Sequence, residues 1–319
     1  MIKRAFLFPG QGAQYVGMGK DLYNQFDEAK CVFQKANDVL GFDLASICFN
    51  GRSEELNQTS MCQPAILVTS IAALESYKNF RNNGIAECHA VAGLSLGEYT
   101  ALVFAGSLSF EDAVQLVYKR GKFMQEACNE RLGGMVSVLG LDDEKVEEIC
   151  KEASQFGHVC AANYNSPGQV VISGEKEALE KASSIAKKNG ARAIPLQVNG
   201  AFHSNLMTSA CDKVAMELEK VKITEARIPV VANVTGQYIK KPEEIKASLI
   251  KQLASPVRWY QSMNRLIQDG FEEFYEFGPG KVLSGLLRRI DSTKCPRNLE
   301  TVQSFSECGM RNVECGIKK

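Results

Sequence analysis

Gly93-Leu94-Ser95-Leu96-Gly97 sets a serine between two glycines, directly after the short apolar run His89-Ala90-Val91-Ala92 and directly before a helix-compatible stretch at 98–105. A nucleophile elbow needs this context. The glycines let strand and helix backbones approach around a strained turn, the hydroxyl projects outward, and the helix N-terminus aims amide N–H groups at developing negative charge. Ser95 is therefore the candidate nucleophile. A serine hydroxyl is a poor nucleophile at neutral pH and needs an adjacent base, usually histidine. The chain carries three histidines, His89, His158 and His203. His89 opens the strand that leads to Ser95 and lies down that strand from the elbow. His158 falls beside Gly157 inside a segment with its own pattern. His203 follows the last strand of that segment, where the chain returns to its main body, which makes it the candidate base by elimination; a purely structural imidazole is the competing reading. In α/β-hydrolases an acid between serine and histidine orients the base, and no acid here announces itself. Glu98, in the first turn after Ser95, is explained by the helix macrodipole.

The elements that must position these groups follow from hydrophobic periodicity. Ala5-Phe6-Leu7-Phe8 reads as a buried strand stopping at Pro9-Gly10, followed by a long helical region with Leu22, Phe26, Val32 and Phe33 on its apolar face. Residues 64–80 repeat the helical pattern, and Ser109-Phe110-Glu111-Asp112 is a capping-type start for another helix. Strands alternating with helices predict a parallel sheet covered on both faces. Residues 130–198 differ: strand 134–139, helix 142–155, strands 159–162 and 169–173 joined by Asn165-Ser166-Pro167-Gly168, helix 175–188 and strand 191–196. That order, β-α-β-β-α-β, is ferredoxin-like. The expected fold class is α/β, a large hydrolase-like domain made of 1–129 and 199–290 and interrupted by a ferredoxin-like subdomain, with a substrate cleft between the two. Beyond the subdomain come a strand at 229–233, helices around 243–268, a strand at 271–277 and Gly278-Pro279-Gly280 opening a further helix. The tail, 291–319, lacks clear periodicity and is expected to be loosely ordered and without chemistry.

Of the 319 residues 45% are apolar, enough for a substantial core, and Lys plus Arg equals Asp plus Glu at 37 each. No long block of one sign appears, which argues against nucleic acid while leaving room for a local basic patch that greets a small acidic protein. The 11 cysteines are scattered without a C-x-x-C pair, and an odd count fits reduced thiols of the cytosol, mostly filling the core. The first residues run straight into a strand, with no room for a signal peptide's apolar core, and no stretch approaches membrane-spanning length. A cytoplasmic monomer with no membrane association is expected.

Phe8-Pro9-Gly10-Gln11-Gly12-Ala13-Gln14, Gln63-Pro64, Gly93-Leu94-Ser95-Leu96-Gly97-Glu98-Tyr99, Arg120-Gly121, Asn163 through Gln169, Phe202-His203-Ser204 and the run from Gln252 to Trp259 together resemble, in order, the successive motifs of the malonyl-CoA:acyl carrier protein transacylases. The resemblance runs from residue 6 to about 290. It implies an acyltransferase of fatty acid biosynthesis that uses no metal and no redox cofactor. Ser95 would attack the malonyl thioester, with His203 as base. A backbone carbonyl at Gln252 would orient the imidazole, explaining the missing acid, and the N–H groups of Gln11 and Leu96 would form the oxyanion hole. Arg120 would grip the malonyl carboxylate, a task suited to a planar guanidinium. Phe202, before the histidine, would crowd a 2-methyl group and so favour malonyl over methylmalonyl. Gln63, Met124, Asn165 and Gln169 match positions lining the family's pocket.

The sequence departs from the family at Leu94, where many members carry histidine, and at Gly200-Ala201. The second substrate implied is the phosphopantetheine thiol of an acidic acyl carrier protein, for which Lys187, Lys188, Arg192, Arg288 and Arg289 are possible docking charges. The rival reading is a serine hydrolase, a thioesterase or lipid acyl hydrolase, on the same Ser-His pair. A non-catalytic scaffold with a decayed site is a third, opposed by the coexistence of Ser95, His203 and Arg120.

Overall fold

A computed structural model describes residues 2–81, 86–198 and 200–310. Two sheets organise them. The larger contains β1 (Lys3–Phe8), β2 (Ala90–Gly93), β7 (Val230–Val231), β8 (Tyr238–Ile239), β9 (Phe271–Phe277) and β10 (Arg297–Leu299) in the order β10-β9-β1-β2-β7-β8. All neighbours are parallel except β8, which turns back antiparallel on β7. Ala5 through Phe8 are wholly buried, as a central strand covered on both faces requires. The pleat divides them: Phe6 and Phe8 enter the main core with Val91, Tyr275 and Phe277, while Ala5 and Leu7 face a second core with Ala92, Phe274 and Trp259. Helix Thr59–Phe80 runs through the main core and is buried nearly all round, which accounts for its continuous apolar sequence.

The smaller sheet contains β3 (Gly133–Leu139), β4 (Val159–Ser166), β5 (Gln169–Glu175) and β6 (Arg192–Pro195), antiparallel in the order β4-β5-β3-β6. Helices Asp143–Ala153 and Lys176–Lys188 cover one face through a separate core built on Val136, Val138, Val170 and Ile172. The opposite face lends Met135 and Val171 to the main core. Tyr164 N–H donates to the Val257 carbonyl and Val257 N–H to that of Ala162, so β4 is stitched to the segment that follows Gln252.

Several expectations are corrected. The helical region after Gln14 is two helices, Lys20–Gln25 and Asp27–Leu40, because Phe26 is extended between them. β4 runs through Asn165 to Ser166, leaving a turn of Pro167 and Gly168 where a longer loop is expected. The tail is not loosely ordered as far as Met310. Residues 297–299 add β10 to the edge of β9, and helix Val302–Met310 plants Phe305, wholly buried, against the rings of Phe26, Tyr77 and Phe80. A three-residue strand and a short helix are too brief for periodicity to reveal, and their partners lie far away in sequence. The rest of the tail, 311–319, lies outside the described residues.

Candidate active site

Gly93 ends β2 and Gly97 begins helix Gly97–Phe104. A Cβ on Gly93 would lie 2.0 Å from the Gly97 carbonyl, and one on Gly97 would lie 2.0 Å from the Phe8 carbonyl oxygen. Both positions exclude any side chain, and the elbow they hold sets Ser95 at φ 51. Among the described residues only one other non-glycine residue has positive φ, His203 at 59. Such angles cost about 1–3 kcal/mol each and persist only where the surroundings enforce them.

The two strained residues face each other. Ser95 Oγ lies 2.8 Å from His203 Nε2, and His203 Nδ1 lies 2.9 Å from the Gln252 carbonyl oxygen. A carbonyl can only accept, so Nδ1 carries the proton and Nε2 is left to accept from the serine hydroxyl. Burial, and then the charge of Arg120, pushes the imidazole down to about 4. It is therefore neutral at neutral pH, the state a base requires.

Arg120 comes from helix Phe110–Glu130, started by the Ser109 cap that the sequence predicts. Gly121 beside it lets that helix close on Thr59, since a Cβ there would stand 2.5 Å from the Thr59 carbonyl oxygen. Arg120 is 1% exposed. Nη1 donates to Gln63 Oε1 at 2.7 Å, and Nη2 donates to Ser95 Oγ at 3.1 Å and to Gln252 Oε1 at 2.9 Å. The guanidinium lies over the Tyr99 ring at 5.4 Å, while Nε has no hydrogen-bond partner among the described residues. Every acceptor is neutral. Burial pulls its pKa below the ordinary value, with Tyr99 and Glu98 opposing. A buried guanidinium without a direct counter-charge costs several kcal/mol, and the cost is recovered by an anion that seats against it.

Gln63 is held from its other end, its Nε2 lying 3.2 Å from Met124 Sδ. Phe202, 6% exposed, is packed close by Gly200, where a Cβ would meet the Phe202 ring at 2.7 Å and Cys128 Sγ at 2.1 Å. The N–H groups of Gln11 and Leu96 have no acceptor among the described residues. Asn165 and Gln169 belong to the β4–β5 hairpin, and Gln169 Oε1 accepts from Arg289 Nη1; no hydrogen bond among the described residues joins either side chain to Ser95, Arg120 or His203. Neither of the other histidines is hydrogen-bonded to Ser95 among the described residues. His89 Nδ1 accepts from Arg4 N–H at the far end of β2, and the main-chain N–H of His158 donates to Glu175 Oε2.

Two groups in the cluster escape sequence reasoning. Asn233, two residues past β7, clips the elbow: Oδ1 accepts from Ser95 N–H at 2.6 Å and Nδ2 donates to the Gly93 carbonyl at 2.7 Å. Its partners lie 138 and 140 residues away, so no local pattern marks it. Glu98 is the second, and the macrodipole reading of it is corrected. Its carboxylate is wholly buried and accepts from Gln252 Nε2 at 2.7 Å, Asn233 N–H at 3.1 Å and Ser248 Oγ at 3.3 Å. Burial pushes it up to about 7 against the pull of these donors and Arg120.

The acyl transferase domain family matches residues 5–294. The malonyl CoA-acyl carrier protein transacylase of Bacillus subtilis is 48% identical over 304 residues, 95% of this chain and 93% of the relative. A crystal structure of the malonyl CoA-acyl carrier protein transacylase of Clostridium perfringens is 43% identical, covers 98% of both chains and superposes with a TM-score of 0.93. A type II PKS acyl-carrier protein in complex with its malonyl-transacylase gives a TM-score of 0.92 at 41% identity over 97% of this chain and 100% of that one. Similarity of this extent, carried through both sheets and the elbow, makes the chain a member of the acyl transferase family, in the group of the malonyl CoA-acyl carrier protein transacylases.

Proposed function

We propose that this enzyme moves malonyl from coenzyme A to the phosphopantetheine thiol of acyl carrier protein, through a malonyl ester on Ser95. His203 Nε2 takes the Ser95 proton as Oγ attacks the thioester carbon. The C–S bond breaks, and the proton passes to the departing coenzyme A sulfur. In the second half the carrier protein thiol gives its proton to His203, attacks the ester, and Ser95 leaves and regains that proton. The N–H groups of Gln11 and Leu96 receive the oxyanion in both halves. Arg120 holds the malonyl carboxylate, with Gln63 and Met124 behind it, and Phe202 closes the pocket beside the base. Asn165 and Gln169 line the outer approach on the hairpin. The segments before 130 and after 198 form the catalytic body, with 130–198 as a subdomain at its cleft, and the chemistry belongs in the cytoplasm.

One observation supports this reading above the rest: a buried guanidinium with only neutral partners stands 3.1 Å from the hydroxyl of an elbow serine. An apolar acyl chain would leave that charge unanswered, whereas malonyl brings a carboxylate to it. Incubation with malonyl-CoA should place an adduct on Ser95, seen by mass spectrometry, which holo acyl carrier protein then removes as malonyl-carrier protein. Release as free malonate in place of transfer would favour a hydrolase. Arg120→Ala should lose malonyl transfer about 100-fold or more while acetyl transfer changes far less, the loss of a buried charge-assisted pair being about 3 kcal/mol. Equal loss of both would remove the clamp.

A further inference from the structure

Glu98 touches neither Ser95 Oγ nor the guanidinium, yet the bonds that orient both pass through its partners. The Gln252 side-chain amide can sit two ways about its last torsion, exchanging its oxygen with its nitrogen. Here Nε2 donates to Glu98 Oε2 at 2.7 Å and to the Ser95 carbonyl at 3.0 Å, which leaves Oε1 facing Arg120 Nη2 at 2.9 Å. The flipped amide would press its N–H groups against a guanidinium that has only donors. The Glu98 carboxylate, an acceptor with no donor when ionised, admits the first arrangement and opposes the second. Its Oε2 also receives Asn233 N–H, from the residue that clips the elbow, and Oε1 receives Ser248 one turn before Gln252.

We propose that Glu98 is a positioning residue: its carboxylate fixes the rotation of the Gln252 amide and so aims Arg120 at the acyl group on Ser95. The proposal rests on the reading of Arg120 as the malonyl clamp. Gln252 thus has two separate tasks, its main-chain oxygen setting the His203 tautomer and its side chain, under Glu98, setting the guanidinium. The Glu98 carboxyl, the Gln252 amide and the Arg120 guanidinium are thus joined by two consecutive hydrogen bonds.

The test compares Glu98→Ala, Glu98→Asp, Glu98→Gln and Arg120→Ala in the acylation half-reaction, with kcat/KM for malonyl-CoA against acetyl-CoA as the readout and circular dichroism reporting the fold. Glutamine keeps an oxygen where Oε2 stands and can donate its N–H to the rotatable Ser248 hydroxyl. Aspartate keeps the charge but, one methylene shorter, withdraws from Gln252. The malonyl-to-acetyl ratio should fall about tenfold in the alanine and aspartate variants, mainly through KM for malonyl-CoA, and stay within about threefold in Glu98→Gln. Should the alanine variant not fold, the aspartate and glutamine pair decides. A ratio unchanged in folded alanine or aspartate protein, or lowered as much by glutamine as by aspartate, overturns the positioning role while a collapsed ratio in Arg120→Ala leaves the clamp standing. An unchanged ratio in Arg120→Ala overturns the clamp, and the Glu98 proposal with it.

Discussion

Ser95 and His203 both hold left-handed backbone angles, φ 51 and 59; the serine is held by the Gly93–Gly97 approach and the Asn233 clip, and the histidine ring is oriented by the Gln252 carbonyl. The imidazole is also kept neutral, lowered to about 4 by burial and by Arg120. Because protonation of Nε2 would abolish its acceptor, activity is lost on the acid side only. The acylation rate with malonyl-CoA, followed by stopped flow, should stay level from pH 8 to about 5.5 and fall below about 4.5; a limb centred near 6.5 would mean the imidazole is as free as in solution. The same shift gives His203 a stabilising contribution present above its unfolded pKa near 6.5 and lost as pH falls through about 4. Residue types and motifs made Ser95, His203 and Arg120 legible, because each has a chemistry that few side chains supply. Glu98 and Asn233 were not, because a buried carboxylate or amide is told from a surface one by its partners, and theirs lie across the fold.

At the scale of elements, strands with an apolar run or a concentration of aromatic residues and helices with marked caps were readable, as β1, β9 and helix Phe110–Glu130 demonstrate. The division at Phe26 and the elements after 291 were hidden, since an extended residue between two helices and a three-residue strand take their stability from tertiary contacts. Helix Val302–Met310 is part of the core through Phe305, whose ring meets Tyr77 at 5.2 Å and Phe80 at 5.8 Å between centroids. Phe305→Ala should cost about 3–5 kcal/mol in urea unfolding. The folded fraction should acylate at close to the normal rate, because the ring packs on the far end of helix Thr59–Phe80 from Gln63. A change of less than about 1 kcal/mol would show the tail to be dispensable.

For the whole molecule, the second substrate is a protein, and the candidate docking charges come from separate segments of the chain. Leu139 pairs with Gln169 on one side and Arg192 on the other, and Arg289 donates to Gln169, so Arg192 and Arg289 stand along one rim of the smaller sheet. Lys187 and Lys188 close the helix that turns into β6. Reversing these four charges and that of Arg288 should slow transfer to carrier protein about tenfold at low salt, with acylation by malonyl-CoA falling less and added salt closing the gap. Equal rates at low salt would place the docking face elsewhere. The order of motifs along the chain determined the family and the chemistry, because each chemical task admits few residue types and the elbow is local in sequence. Only the tertiary structure decided which partners make those residues work. A hydrogen bond between positions more than a hundred residues apart leaves no local trace, so the Asn233 clip and the bonds from Glu98 to Gln252 and from Gln252 to Arg120 exist only in the folded chain.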